Sequence, residues 1–234
     1  WLLQPYSDQA GFEGQNTTPA SDVARIADMA KAQDLQLCVH AIGDRANRFT
    51  LDLMAEKLAG KEDHRWRIEH AQHLHPNDIE RFAELGVIAS MQGIHCTSDA
   101  LFAETRLGQV RARDGAYAWR SLLDAGAIVL NGTDALVEAL SPFESLYASV
   151  TRKRAREDIY FFPRQSMTRL EALHSYTLAN AFGAFEEDIK GTLESGKLAD
   201  FIVLDRNLVS CTDEAILDTQ VVMTVIGGEV YYEP

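Results

Sequence analysis

The chain has 234 residues, which suits one large domain or one and a half, with ample length for a hydrophobic core. Hydrophobic residues make up 46% and charged residues 24%, which are the proportions expected of an ordinary soluble globular protein. Lysine and arginine total 22 against 35 aspartates and glutamates, so the formal net charge is −13. This negative surplus argues against nucleic acid or an anionic membrane as a partner, and no run of 18 apolar residues predicts a membrane span.

The cysteine pattern is sparse. Cys38, Cys96 and Cys211 lie far apart and form no CxxC pair. This argues against a disulfide framework and for a reducing compartment, so we expect a cytoplasmic protein. Cys38 lies in an apolar run and is expected to be a small core residue. The chain opens at Trp1 instead of a methionine, so we expect a fragment of a longer protein.

The first third of the chain predicts helices alternating with strands. After a loop over residues 1–17, a helix begins near Thr18 and continues through DVARIADMAKAQ. The apolar run LQLCVH predicts a strand that ends at His40. A second helix is then predicted over residues 44–58, with its apolar side chains on one face.

The same alternation continues through the middle of the chain. RWRIEH predicts a strand that ends at His70, and residues 76–85 predict a helix that Gly86 terminates. GVIASMQ predicts a third strand. Residues 93–114 are expected to be a long polar loop, and a loop of this length after a strand is more often functional than idle.

The second half begins with the same kind of unit. Residues 117–124 predict a helix, and AIVLNGTD predicts a fourth strand that ends at Asp134. Residues 142–154 and the run MTRLEALHSYTLANAFGAF each predict one helix. Four successive strand–helix steps imply a parallel sheet, either a small open α/β sheet or half of a barrel.

The pattern changes after about Ile189. ADFIVLD predicts a compact strand, and VVMTVIGGEVYYE predicts a hairpin that turns at Gly227 and Gly228. We therefore predict two domains, an α/β domain over residues 1–188 and a β segment over residues 189–234.

Three of the predicted strands end in a side chain that can bind a metal: His40, His70 and Asp134. Imidazole nitrogen and carboxylate oxygen suit Zn²⁺, Mn²⁺ or Fe²⁺, and α/β enzymes gather their sites at the carboxyl ends of strands. Such a metal lowers the pKa of bound water toward about 7, and a nearby carboxylate can carry the proton. The alternative is that each histidine is a hydrogen-bonded structural residue.

Four further residues, at or just beyond strand ends, are candidates for orienting a substrate: Asp44, Gln72, Gln92 and His95. The alternative for Asp44 is an N-terminal cap of its helix. The alternative for the other three is an ordinary polar loop residue.

Six blocks, in order, carry a resemblance to a known family: HAIGDRAN, RIEHAQ, GVIASMQGIHCTSD, AYAWRSLLDAGAIVLNGTDALVE, ALHSYTLANA and GTLESGKLADFIVLD. The chain resembles the C-terminal half of the amidohydrolase superfamily. It is more closely similar to the family-3 amidohydrolases, the branch of N-substituted formamide deformylase-like enzymes. The resemblance extends from about Tyr6 to the end of the chain.

The resemblance implies the C-terminal half of a (β/α)8 TIM barrel, about strands five to eight, followed by a small β-sandwich portion. His40 would belong to strand five, His70 to strand six and Asp134 to strand eight. The histidines would bind one metal, and Asp134 would bind the other and act as general base and acid. The expected cofactor is a divalent metal, zinc first, with iron or manganese as alternatives.

The implied function is a metal-dependent hydrolase that cleaves a C–N bond of a small-molecule amide or cyclic amide through metal-bound hydroxide. The HxH pair that such families carry at strand one has no counterpart here. His73 and His75 spell H-x-H, but they follow strand six and are read as loop residues. We therefore expect a homo-oligomer or pairing with a missing N-terminal half. The alternative is a non-catalytic or regulatory protein on the same scaffold.

Overall fold

The protein is described by a computed structural model, which covers residues 1–61 and 63–234 and is α/β. Its strands are β1 (Cys38–Ala41), β2 (Arg67–His70), β3 (Ile88–Met91), β4 (Val129–Asn131), β5 (Phe201–Leu204), β6 (Val221–Ile226) and β7 (Glu229–Tyr232). Its helices are α1 (Ala20–Ala32), α2 (Asp44–Lys57), α3 (Ile79–Leu85), α4 (Gly93–Ser98), α5 (Ala103–Leu107), α6 (Gln109–Gly115), α7 (Trp119–Asp124), α8 (Pro142–Thr151), α9 (Arg169–Tyr176), α10 (Leu178–Gly183) and α11 (Asp213–Ile216). Within the ranges described, no helix is both long and apolar enough to cross a membrane.

One sheet contains the first four strands in the order β1-β2-β3-β4. β1 pairs in parallel with β2, and β2 pairs in parallel with β3. At the next position in the sheet, the Ala89 N–H donates to the Ile128 carbonyl at 3.0 Å. The predicted parallel pairing is therefore confirmed for the first three strands.

The chain divides into two compact units, which are described separately. The first unit contains Trp1–Met91 and Asp99–Val129, and the second contains Gln92–Ser98 and Leu130–Pro234. The boundary at residues 188 and 189 follows the change of sequence pattern and stays a prediction.

The first unit has a dry core made of aromatic and aliphatic side chains. Trp66, Ile68, Leu51, Met54 and Phe82 are all fully buried. Each such side chain contributes about 1.5–3 kcal/mol by leaving water. Ile88, Ala89 and Met91 of β3 are buried as well, so β2 and β3 both contribute side chains to the interior of this unit.

The second unit contains the antiparallel sheet β5-β6-β7. The turn between β6 and β7 has Gly227 at φ +59° and Gly228 at φ +84°. Two successive positive φ angles are what a tight two-residue hairpin requires, so the predicted hairpin is confirmed.

The expected loop over residues 93–114 is wrong. This stretch contains α4, a 3-10 helix at Asp99–Leu101, α5 and α6. The sequence before Gly93 offers no cap for a helix. The first N–H groups of α4 are instead satisfied by Asn131 and Ser145, which are 38 and 51 residues away along the chain.

Two smaller expectations also need correction. The run predicted as one helix forms two, α9 and α10, because Thr177 between them has φ −121° and ψ −93°. Cys38 is exposed, although a core position was expected. The reason is that β1 is an edge strand, and its residues Cys38 and His40 lie on a face left open by the described residues.

Replacing Gly115 by alanine is expected to lower the free energy of unfolding by about 1–3 kcal/mol. The added Cβ would lie 1.9 Å from the Leu74 carbonyl oxygen, which is backbone and cannot move aside. Urea denaturation measures the loss. Gly132→Ala is the matched control, because no heavy atom lies within 4 Å of its new Cβ. Equal unfolding midpoints for the two variants would contradict this account.

Candidate functional site

Two of the predicted metal ligands meet in the first unit. The imidazole rings of His40 on β1 and His70 on β2 have centroids 4.4 Å apart and planes inclined at 68°. His40 is exposed and His70 is partly buried. Two imidazoles this close, on neighbouring strands, can donate nitrogen ligands to one ion.

The backbone at the end of β2 is unusual. His70 has φ +74° and Ala71 has φ +44°. Residues other than glycine rarely adopt this left-handed region, and each such residue costs about 1–3 kcal/mol. In the pairing of β1 with β2, His70 lies opposite Ala41 and not opposite His40. The rings of His40 and His70 are nevertheless close, and the left-handed backbone at His70 accompanies this approach.

A buried amide holds the chain segments that follow β1 and β2. Asn47 on α2 is fully buried. Its Nδ2 donates to the carbonyls of Ile42 at 3.1 Å, Gly43 at 3.0 Å and His73 at 3.3 Å. This residue was missed by the sequence analysis, and a polar residue on the inner face of a predicted helix is the signal that could have found it.

In the second unit, the third predicted ligand lies beside another histidine. His95 on α4 is 7% exposed, and its Nε2 lies 3.8 Å from Oδ2 of Asp134. Asp134 also has a left-handed backbone, with φ +53°. The sequence predicted His95 as a substrate-orienting residue, and its pairing with Asp134 was not foreseen.

Asn131 at the end of β4 connects the elements that carry His95 and Asp134. Its Oδ1 accepts the N–H of Gly93 at 2.9 Å, and its Nδ2 donates to Ser149 at 2.9 Å. Its carbonyl accepts from Asn180 at 3.0 Å. Gly93 is required here because a Cβ would lie 2.2 Å from the Ser149 hydroxyl oxygen. Asn131 was also missed, since its partners are distant in sequence.

Tyr176 supports the segment that leads from β4 to Asp134. Its hydroxyl donates to the Gly132 carbonyl at 3.1 Å. Burial raises the pKa of Tyr176 to about 12, so the hydroxyl stays protonated at neutral pH and remains a donor.

The other predicted substrate-orienting residues are all buried. Asp44 accepts the N–H of Leu3 at 2.8 Å, and the carbonyl of Gln72 accepts from Tyr117 at 2.6 Å. Gln92, 8% exposed, directly precedes α4. The contact of Asp44 is structural, and a role of these residues toward substrate stays a prediction.

The local H-x-H pair has other roles. His75 caps the following 3-10 helix, because its Nδ1 accepts the N–H of Asn77 at 3.2 Å. Burial lowers the pKa of His73 to about 4, so its ring is neutral at pH 7. Within the described residues, no metal-ligand cluster includes His73 or His75.

The donor types fit a divalent metal. One unit offers two adjacent imidazoles, and the other offers an imidazole beside a carboxylate. These are the ligands of Zn²⁺, Mn²⁺ and Fe²⁺ in proteins, and donor type alone does not select one of them.

Comparison with known proteins agrees with the resemblance seen in the sequence. A model of the amidohydrolase family matches residues 1–232. "Protein LONG AFTER FAR-RED 3" of Arabidopsis thaliana is 34% identical over 99% of this chain and 40% of its own length. The "N-substituted formamide deformylase" of Arthrobacter pascens is 29% identical over 94% of this chain and 41% of its own.

A solved structure shares the fold. It is an uncharacterized metal-dependent hydrolase from Pyrococcus horikoshii, with a TM-score of 0.80 and 29% identity over 91% of this chain and 42% of that one. The chain thus spans about two fifths of the length of each of these proteins.

Replacing Asn131 by alanine is expected to lower the free energy of unfolding by about 1–3 kcal/mol, because buried partners such as the Gly93 N–H lose their acceptor. Urea denaturation followed by circular dichroism measures this loss. Asn16→Ala is the control, since Asn16 is exposed. If both variants unfold at the wild-type midpoint, Asn131 does not hold α4 in place.

Proposed function

Because the chain belongs to the amidohydrolase family, we propose that it is part of a metal-dependent hydrolase that cleaves the C–N bond of a small-molecule amide or cyclic amide. The observation that carries the proposal is the approach of the His40 and His70 rings to 4.4 Å at adjacent strand ends. His70 adopts a left-handed backbone where the two rings meet, and this conformation costs free energy. A function of the imidazole pair would account for that cost.

We propose that His40 and His70 hold one metal through imidazole nitrogens, and that Asp134 binds the other and acts as general base and acid. When bound, a divalent metal lowers the pKa of water toward about 7. Asp134 would accept the proton that water loses on adding to the amide carbonyl, and would return it to the departing nitrogen. His95, 3.8 Å from Asp134, would orient that carboxylate.

The printed name of one relative supports the substrate class. The Arthrobacter pascens protein is called a deformylase of N-substituted formamides, which are amides. We extend the amide class, and no particular substrate, to this chain. Zinc is our first choice of metal, and iron or manganese would bind the same donors.

We also propose that the chain is the C-terminal part of a longer protein, with β1 to β4 as barrel strands five to eight and β5 to β7 as part of a β-sandwich. The fraction of each relative that it spans supports this. The three-stranded sheet exposes apolar side chains such as Ile202, Val230 and Tyr231. Either a preceding segment or a second copy would cover them, and size measurements on the longer and shorter chains would separate these cases.

Replacing His70 by alanine is expected to weaken zinc binding by tenfold or more, because one of two adjacent nitrogen ligands is lost. Competition with a chromogenic chelator measures the affinity, and elemental analysis measures the metal per chain. His174→Ala is the control, since His174 is exposed on α9. Equal affinity in both variants would overturn the assignment of His70.

Replacing Asp134 by asparagine is expected to lower kcat by at least about 100-fold, because the amide cannot accept or return the proton. Initial rates with a panel of small amides measure the loss. Asp158→Asn is the matched control, because the Asp158 side chain is 92% exposed. Unchanged kcat in the Asp134 variant would exclude the acid–base role.

A further inference from the structure

A cavity of about 220 Å³ lies in the first unit, at the ends of β1 and β2. We call it the Phe102 cavity, and the residues around it that matter below are Tyr6, Ile42, Gln72, His73, Asp99, Phe102 and Arg106. Ile42 directly follows β1, and Gln72 follows His70 by two residues. The cavity therefore opens where α/β enzymes bind the part of the substrate next to the reacting bond.

The charged groups of the Phe102 cavity already have protein partners. Arg106 pairs with Asp8 at 2.9 Å, and its guanidinium stacks 5.9 Å over the Tyr6 ring. Asp99 accepts a short hydrogen bond from the Tyr117 hydroxyl. Because Arg106 and Asp99 already have partners in the protein, the cavity does not require a charged ligand to balance their charges.

Apart from Gln72, the neutral part of the wall is apolar or aromatic. Phe102 and Ile42 are 50% and 36% exposed, although both are large apolar side chains. His73 packs edge-on against Tyr117 at 5.5 Å between ring centroids, and burial keeps its ring neutral. An uncharged apolar group that covers Phe102 and Ile42 removes their apolar surface from water, which favours binding of that group.

The volume limits the size of that group. An apolar cavity of about 150 Å³ is known to hold one benzene molecule. A cavity of about 220 Å³ thus holds one six-membered ring with a short linker, and a second ring would extend into solvent.

We propose that the Phe102 cavity binds an uncharged, ring-sized apolar substituent of the amide substrate. The role of the cavity in holding part of a substrate rests on the proposed hydrolase function. The binding itself is a property of the first unit and needs no metal.

The test compares the binding of three probes to the metal-free full chain: acetamide, phenylacetamide and 4-biphenylacetamide. Chemical-shift titration gives each Kd. We expect phenylacetamide to bind at least tenfold more tightly than acetamide, and 4-biphenylacetamide to gain nothing over phenylacetamide. Equal Kd values for acetamide and phenylacetamide would overturn the proposal.

Two variants place the binding in this cavity. Ile42→Trp fills it and is expected to abolish the tenfold preference. Leu101→Trp adds a similar volume at a neighbouring residue, 61% exposed, outside the cavity and should keep the preference. Phe102→Ala enlarges the cavity and should tighten 4-biphenylacetamide binding. If Ile42→Trp and Leu101→Trp behave alike, and Phe102→Ala changes nothing, the probe binds elsewhere and the proposal fails.

These outcomes are independent of the metal proposal. Loss of metal binding in the His70→Ala variant is read by chelator competition, whereas the cavity is read by probe Kd in metal-free protein. A chain that binds phenylacetamide through this cavity, and whose metal affinity is unchanged by His70→Ala, would overturn the metal assignment and leave the cavity assignment standing.

Discussion

The structure depends on giving hydrogen-bond partners to the backbone where parallel strands end. A strand that stops leaves carbonyl and N–H groups that the sheet no longer satisfies, and buried groups of this kind are costly when unpaired. In the first unit, the single amide of Asn47 serves the carbonyls of Ile42, Gly43 and His73. One side chain on α2 therefore sets the course of the chain after both β1 and β2, which are the strands that carry His40 and His70.

The second unit solves the same problem with the same chemistry. Asn131 gives an acceptor to the first turn of α4 and a donor to Ser149 on α8. Because α4 carries His95, the distance between His95 and Asp134 is tied to an amide that contacts neither of them. Asparagine suits both positions, since its side chain is a donor and an acceptor of the same geometry as the backbone.

Local signals in the sequence predicted the parts of the fold that local interactions determine. The strands that carry His40 and His70, the hairpin at Gly227 and Gly228, and the alternation of helices and strands as far as β3 follow from periodicity and turn chemistry. The helix α4 was not predictable in this way, because its caps come from residues 131 and 145. The break at Thr177 was hidden for a related reason, since nothing in its neighbours disfavours a helix.

The same distinction between local and long-range interactions applies to the candidate site. The positions of His40 and His70 near the ends of their strands were predictable from the sequence, and the resemblance to family-3 amidohydrolases assigned the roles of the ligands. The predicted fourth strand was too long, because β4 ends at Asn131 and Asp134 lies three residues beyond it. The residues that support the candidate ligands could not be predicted from the sequence, because Asn47, Asn131 and Tyr176 form hydrogen bonds across long sequence separations. A polar residue at an inward position of a predicted helix is ambiguous until its acceptors are known.

The left-handed backbone at His70 and Asp134 shows what these supports achieve. Each residue accepts a conformation that costs about 1–3 kcal/mol, and it persists only where the surroundings determine it. The buried amide of Asn47 and the protonated hydroxyl of Tyr176 provide that determination beside His70 and Asp134 respectively. These contacts restrain the backbone near the two residues, and such restraint lowers the cost of ordering their side chains when a ligand binds. Left-handed backbone also occurs at other non-glycine residues, Ala71 and Tyr117 among them, so strain by itself does not mark a site. The physical argument for a site is that the strain at His70 and Asp134 coincides with side chains that can bind a metal.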